Sequence, residues 1–176
     1  MKKLIVAAIA FMIAASLSAQ EAKTEKALFK MPSVNVTDMN GKKFNTADLS
    51  NNGKPYIISF WATWCKPCVK ELTAISEVYQ DWQDETGVKL IAVSIDDSRS
   101  SPQVKTFVNG KRWDYQVILD ANSEFKRAMN VNAVPHTFIV NGKGEIVWQH
   151  TSFSEGSELE LIRLVKKVIA GEPLTE

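Results

Sequence analysis

The segment from residue 56 to residue 95 constrains the fold more strongly than any other part of this chain. It opens with an apolar run, Tyr56–Trp61, that predicts a strand covered on both faces. Beyond Lys66 the apolar positions recur at helical spacing until Gly87, and a second strand pattern follows at Val88–Ile95. Strand, helix and strand in this order imply a right-handed parallel crossover, so the chain is predicted to be an α/β protein. The predicted buried face of the helix carries Val69, Leu72, Ile75, Tyr79 and Trp82.

Two hairpins are predicted on either side of this crossover. Val34–Val36 leads into the turn Asn40–Lys42, which predicts a small hairpin near the start of the domain. Strand patterns at Thr137–Val140 and Glu145–His150 flank the turn Asn141–Gly144, which predicts a second antiparallel pair.

The remaining patterns predict helices and one short strand. Ser101 and Pro102 are typical of a helix N-cap and first turn, and Gly110 is the predicted stop. A short strand is expected at 115–119 and a short helix at 122–129. A final helix is expected to carry Leu159, Ile162, Val165 and Ile169 on one side.

The chain has 176 residues, 45% of them hydrophobic, which suits one domain with a substantial core. Lys2 and Lys3 precede an apolar run and then small residues, so residues 1–19 are predicted to be a secretory signal, cleaved after Ala19 or after Ser18. The alternative is a retained anchor helix, although the run is shorter than the ~20 residues that span a bilayer. A mobile lead-in is expected at 20–32, the domain at 33–171 and a tail at 172–176.

The net charge and the predicted export limit the kinds of molecule that this protein is expected to bind. The net charge is +1 with acids and bases interspersed, which argues against nucleic-acid binding and against attraction to an anionic membrane surface. The signal predicts an exported protein of the periplasm or cell envelope, without stable membrane insertion after cleavage, and we expect a monomer. No cofactor and no metal are expected, because one cysteine pair and two histidines make a poor metal-ligand set.

Cys65 and Cys68 are the chain's two cysteines, and they lie at the strand-to-helix junction. The first thiol of such a pair falls on the first helical turn, where free N–H groups and the helix dipole favour a thiolate. In an oxidising compartment the pair is expected to cycle through a disulfide. A purely structural staple is the alternative, although so short a loop gains little stability from closure.

The motif Phe60-Trp61-Ala62-Thr63-Trp64-Cys65-Lys66-Pro67-Cys68, together with Glu71 and a Val134-Pro135 pair ahead of a strand, resembles the thioredoxin superfamily and its exported TlpA/ResA-type thiol-disulfide oxidoreductases. The resemblance covers roughly residues 32–170. It implies a three-layer sandwich: a central mixed sheet, helices on both faces, an N-terminal hairpin extension and an insertion, residues 96–130, before a cis-proline loop. Trp61 and Trp64 are expected to pack around the site.

The resemblance also implies roles at the cysteine pair. Cys65 would attack a substrate disulfide as the exposed nucleophile, and the more buried Cys68 would resolve the mixed disulfide. Pro135 would be the cis-proline that presents backbone to an extended substrate; a proline that merely begins a strand is the plainer alternative. The expected substrate contacts are Trp64, Lys66, Pro67, Val134 and His136.

Three further residues carry open expectations. Glu71 could relay the proton of Cys68, or could be a solvated glutamate near a helix N-terminus. Ser59 stands where ordinary thioredoxins have a buried aspartate, so Glu71 must serve if any carboxylate does. His136 replaces the more usual threonine and could touch substrate or tune Cys65, or could be a packing residue.

The function predicted from these residues is thiol-disulfide exchange on exported proteins, more as a reductase than as an oxidase. Apocytochrome c thiols or damaged envelope disulfides are the implied substrates, and a membrane thiol transporter the implied electron donor. A peroxiredoxin-like peroxidase is an alternative, although Ala62 and Ile58 replace that family's usual threonine and proline. A metal-binding or purely structural interaction module is the alternative from another class.

Overall fold

The computed structural model describes residues 27–174, so the predicted signal at 1–19 lies outside the described residues. Three strands run parallel at the centre of the sheet: β4 (Tyr56–Trp61), β5 (Lys89–Ser94) and β6 (Gln116–Leu119). β7 (His136–Val140) pairs antiparallel with β4, and β8 (Glu145–Thr151) pairs antiparallel with β7. The predicted crossover and second hairpin are therefore confirmed.

The edges of the sheet are formed by short N-terminal strands. β2 (Asn35–Asp38) and β3 (Lys43–Asn45) form the predicted first hairpin, and β2 pairs with β6. β1 (Phe29–Lys30) pairs with β8 at the opposite edge. The eight strands lie in the order β1-β8-β7-β4-β5-β6-β2-β3.

In the described part of the chain, four α-helices cover the two faces of the sheet: α1 (Lys66–Thr86), α2 (Ser101–Lys111), α3 (Glu124–Ala128) and α4 (Ser157–Ala170). A 3-10 turn also lies at Thr46–Asp48. Buried residues of α1, α2 and α4 share one core cluster with Ile57, Leu90 and Ile139 of the sheet. Phe125 of α3 packs in a second cluster, against Phe60 on the other face. The helices thus lie on both faces, and the thioredoxin-like sandwich is confirmed.

α1 follows its sequence pattern closely. Leu72, Ile75, Tyr79 and Trp82 are buried as predicted. The helix ends at Gly87, whose φ of 68° is the left-handed conformation that glycine adopts at low cost.

Three predictions need correction. Residues 27–32 are not a lead-in outside the domain, because β1 joins the sheet and Leu28 N donates to the Ile146 carbonyl. α2 runs through Gly110 to Lys111, and Arg112 follows as the C-cap in the left-handed conformation. In α4, Leu159 and Ile169 are exposed, since Leu161 and Leu164 occupy the inner face with Ile162 and Val165.

Gly142, in the β7–β8 turn, lies against the backbone of Gly53. A Cβ at residue 142 would collide with the Gly53 carbonyl, so the position is restricted to glycine by close approach and not by a positive φ. Within residues 27–174, no helix is both long enough and apolar enough to cross a membrane.

Candidate functional site

The cysteine pair lies where β4 passes into α1, at the carboxyl end of a central strand. Cys65 is the N-cap of α1 and is disulfide-bonded to Cys68. The Cys68 N–H donates to the Cys65 Sγ at 3.3 Å, so a free backbone donor of the first helical turn points at this sulfur. Cys65 is 5% exposed and Cys68 is fully buried. The predicted order of exposure holds, but in the disulfide form even Cys65 is largely covered.

The loop that precedes β7 lies against this sulfur. The Val134–Pro135 peptide bond is cis, as the resemblance implies. The Val134 carbonyl oxygen lies 3.8 Å from the Cys65 Sγ, and the Pro135 carbonyl accepts from the Ser152 N–H at 3.1 Å. The loop is therefore tied to the chain beyond β8 and held beside the disulfide.

Glu71 lies inside the protein, so the expectation of a solvated surface glutamate is wrong. The residue is 6% exposed, three positions beyond Cys68 on the same side of α1. Its Oε1 accepts a hydrogen bond from the Thr137 Oγ1 at 2.9 Å. Burial raises the pKa of Glu71 to about 7, and the Thr137 hydrogen bond opposes that rise in part. The carboxyl is thus able to take up and release a proton near neutral pH.

Ser59 continues this polar contact between the strands. Ser59 and Thr137 are register partners on β4 and β7, and their hydroxyl oxygens lie 3.1 Å apart. Because Thr137 has one hydroxyl proton and directs it to Glu71, the Ser59 hydroxyl donates to Thr137. Two hydroxyls therefore connect Ser59 to Glu71. Ser59 is the position at which ordinary thioredoxins, by the resemblance, have a buried aspartate.

His136 lies on the other face of the sheet. Successive side chains of a strand alternate between faces, and Thr137 points to α1. The His136 ring stacks on Phe138 at 4.3 Å, and its Nε2 lies 3.1 Å from the Gln149 Oε1. Burial lowers the pKa of His136, which favours the neutral ring. This geometry favours the packing role.

Asp96 fixes the segment just before the cysteines, and sequence reasoning missed it. The Thr63 N–H and hydroxyl donate to the two Asp96 carboxylate oxygens at 3.0 and 2.6 Å, and the Ser94 hydroxyl adds a third bond at 2.8 Å. Asp96 is 1% exposed. The sequence signal for this contact is an acidic residue directly after an apolar strand pattern. A carboxylate at that position can reach the loop that follows the neighbouring strand, here the loop after β4.

The two tryptophans of the motif differ in their surroundings. Trp61 is fully buried and packs edge-on against Trp113. Trp64 is 65% exposed and lines an open groove with residues of the β5–α2 loop, among them Ile95 and Arg99. Lys66 and Pro67 are exposed in the first turn of α1. One exposed aromatic ring and one exposed charged side chain therefore flank Cys65 along the chain.

No group of three or more histidine, cysteine, aspartate or glutamate side chains within residues 27–174 is arranged to hold a metal ion. The described residues of the site supply two sulfurs, a buried carboxyl, two hydroxyls and a backbone amide.

The fold and this site define a thioredoxin-like protein with a redox-active cysteine pair. The sequence matches the AhpC/TSA family over residues 29–149, and the chain belongs to that family.

Its curated relatives identify the branch more closely. The chain is 34% identical to the thiol-disulfide oxidoreductase ResA of Bacillus thuringiensis strain Al Hakam over 129 residues, which are 73% of this chain and 72% of the relative. It is 32% identical to ResA of Bacillus subtilis over 116 residues, 66% of this chain and 62% of that one. With the Cys65–Cys68 pair, these relatives make the chain a thiol-disulfide oxidoreductase.

Solved structures agree on the fold. The solution structure of a thioredoxin-like protein from Porphyromonas gingivalis is 54% identical, with a TM-score of 0.72, and covers 80% of this chain and 92% of that one. StoA from Bacillus subtilis superposes with a TM-score of 0.60 at 24% identity, over 76% of this chain and 97% of StoA.

Proposed function

We propose that the protein is a disulfide reductase for exported proteins, in which Cys65 attacks and Cys68 resolves. The observation that carries this proposal is the position of the Cys65 sulfur. It receives the Cys68 N–H at the helix N-terminus and lies beside the cis Val134–Pro135 loop. Backbone N–H groups and the helix dipole favour the thiolate of a reduced Cys65.

The proposed reaction has two exchanges. The Cys65 thiolate attacks a substrate disulfide, one substrate sulfur leaves as a thiolate, and Cys65 is joined to the other. Cys68 then gives its thiol proton to Glu71 and attacks the Cys65 sulfur, which forms the Cys65–Cys68 disulfide and releases the second substrate thiolate. The two electrons that reduce the substrate come from the two protein thiols. The protein must then be reduced again by an outside dithiol.

Glu71 supports the reductive direction. A fully buried thiol such as Cys68 needs a base to become a nucleophile, and a carboxyl with a pKa near 7 is matched to that task at neutral pH. Efficient resolution keeps mixed disulfides from accumulating, which a reductase requires.

The substrate is proposed to lie across the site in extended form. Trp64, Lys66 and Pro67 border Cys65 on one side, and Val134 and Pro135 on the other. Their backbone and apolar surfaces suit a cysteine-bearing segment whose own backbone can pair with the loop. His136, which follows Pro135, is proposed to act through packing, because its ring stacks on Phe138.

The cellular setting is also part of the proposal. The signal-like sequence at 1–19 supports export to the periplasm or cell envelope, where a monomer would be recharged by a membrane thiol transporter. Apocytochrome c thiols and damaged envelope disulfides are the proposed substrates. The peroxidase alternative finds less support, since the curated relatives reported above are thiol-disulfide oxidoreductases.

Capture of substrates in cells tests the proposal. Cys68→Ser should accumulate mixed disulfides through Cys65, which mass spectrometry identifies, whereas the double variant Cys65→Ser/Cys68→Ser should capture nothing. Cys65→Ser should abolish insulin-disulfide reduction. A glutathione titration that places the pair at the strongly oxidising end would overturn the reductive direction, and wild-type insulin reduction by Cys65→Ser would overturn the assigned nucleophile.

A further inference from the structure

Two glutamates of different helices line one small cavity, and each has a buried carboxylate oxygen without a hydrogen-bond partner in the described part of the chain. Oε2 of Glu71, on α1, and Oε2 of Glu158, in the first turn of α4, are buried and have no hydrogen-bond partner among the described residues. Both residues line a cavity of about 20 Å³. A buried carboxylate oxygen without a donor is costly, and two of them at one cavity call for a shared donor.

The size of the cavity and the groups around it suit one water molecule. A water site needs roughly 10–15 Å³ and two to four polar partners. Besides the two carboxyls, the lining includes Thr137, His150 and Ser152. A water molecule has two protons, one for each unpartnered carboxylate oxygen.

We propose that this cavity binds a water molecule that donates hydrogen bonds to Glu71 and Glu158, and that Glu71 exchanges its proton with solvent through Glu158. The proposal rests on the proposed role of Glu71 as the base for Cys68. The proposal adds Glu158 as a second carboxyl in the site. It also gives the proton a path from Glu71 to solvent on the α4 side.

The proton balance of the route is simple. After Cys68 has given its proton to Glu71, Glu71 donates that proton to the water, which at the same time passes one of its own to the Glu158 carboxylate. Glu71 is a carboxylate again, the water is unchanged, and Glu158 releases the proton to solvent. Glu158 is partly exposed, whereas Glu71 is 6% exposed, so Glu158 has the access to solvent that Glu71 lacks. No electrons move in this step.

The titratable groups around Glu71 come from four parts of the fold. Cys68 shares α1, Glu158 belongs to α4, and His150 belongs to β8. Tyr115, just before β6, donates its hydroxyl to the Leu72 carbonyl beside Glu71. The proposed water contact couples the Glu158 carboxyl to Glu71, and a like charge so coupled disfavours the charged form of Glu71, so under the proposal neutralising Glu158 should lower the pKa of Glu71.

The test compares Glu158→Gln with Glu160→Gln, an exposed neighbour on α4 that pairs with Arg163. Carbon-13 NMR of the Glu71 carboxyl is followed through a pH titration of the oxidised protein, in which no thiol reacts. E158Q should lower the Glu71 midpoint by about half a unit or more, and should broaden its resonance near the midpoint because proton exchange slows. E160Q should titrate like the wild type, and thermal unfolding should confirm that both variants are folded.

Two results would overturn the inference. One is a Glu71 titration in E158Q that matches E160Q in midpoint and line width. The other is a high-resolution crystal structure of the oxidised protein without a water molecule within about 3.2 Å of both Oε2 atoms.

The proposed base is tested separately. Glu71→Gln should slow the release of a preformed mixed disulfide by Cys68. If E71Q resolves at the wild-type rate, the role of Glu71 in the reaction fails, while the NMR comparison and the crystal structure still decide whether the water joins the two carboxyls. If E71Q is slow and E158Q titrates like E160Q, the proposed function stands and the route through α4 fails.

Discussion

The Thr137 hydroxyl donates a 2.9 Å hydrogen bond to the Glu71 carboxylate inside the protein, on the α1 side of the sheet. This contact joins the strand that follows the cis-proline to the helix that carries the cysteines. It places an ionisable group where the chemistry of the pair can use it and where solvent scarcely reaches. The buried carboxyl is therefore expected to make stability depend on pH, and its effect on reactivity is part of the proposed function.

The burial of Glu71 predicts that stability decreases as pH rises. Its folded pKa of about 7 lies above the ordinary value of 4.5, so the folded protein binds the proton more tightly than the unfolded chain. The stabilisation is fully present below pH 4.5 and is lost as pH rises through 7, a loss of roughly 3 kcal/mol. Urea unfolding of the oxidised protein between pH 4 and pH 8 measures it.

A matched pair of variants isolates this effect. Glu71→Gln should remove this part of the pH dependence, whereas Glu77→Gln, at an exposed position of the same helix, should keep it. Equal pH dependence in E71Q and the wild type would show that another group is responsible.

The Thr63–Asp96 contact is expected to affect both the stability of the protein and the reactivity of Cys65, and the two effects can be measured separately. Thr63→Ala removes the hydroxyl that donates to the buried Asp96 carboxylate, and should destabilise the protein by about 1–3 kcal/mol. Thr63→Ser keeps the donor and should recover most of the loss. In the reduced proteins, the pH profile of Cys65 alkylation should shift in T63A and return in T63S. Stability loss without any shift in that profile would restrict Asp96 to a structural role.

Exposure distinguishes the two tryptophans of the motif. Trp64→Ala should change the free energy of unfolding by no more than about 0.5 kcal/mol, because the side chain is 65% exposed. It should raise the KM for a protein disulfide more than it lowers kcat. Trp61→Ala should instead cost about 3–5 kcal/mol, because that ring is fully buried. Steady-state reduction of insulin measures the first effect, and an unchanged KM would exclude Trp64 from substrate binding.

Two glycines should respond in opposite directions to the same substitution. Gly142→Ala should destabilise the protein, because the added methyl group collides with the Gly53 backbone. Gly110→Ala should stabilise it by about 0.5 kcal/mol, since the added group meets open space in a helix. Thermal unfolding of both variants measures the contrast, and a stabilised G142A would contradict the close approach.

Much of the fold could be predicted because its patterns are local. The apolar run of β4 and the helical spacing of α1 specify the crossover without reference to distant residues. The short strand β1 could not be found in this way, because its partner is β8, more than a hundred residues later. The inner face of α4 is predicted only in part, with Ile162 and Val165 correct, because several apolar spacings fit that helix and packing against α1 selects one of them.

The site was predictable where a motif carried it. The cysteine pair and the Val134–Pro135 loop have a sequence signature, and the structure brings them together. The burial of Glu71 depends on how α4 and β8 pack over α1. The role of Asp96 depends on which loop lies next to the end of β5. Both are tertiary relationships that residue spacing does not contain.

The bond between Thr63 and Asp96 joins positions 33 residues apart. A peptide that carries the cysteines and stops before residue 96 would therefore contain the cysteine pair but lack the Asp96 carboxylate that holds the preceding segment in place. The smallest fragment able to reproduce the site must include the entire first crossover, so the reactive geometry belongs to a folded unit and cannot be transplanted as a short linear sequence.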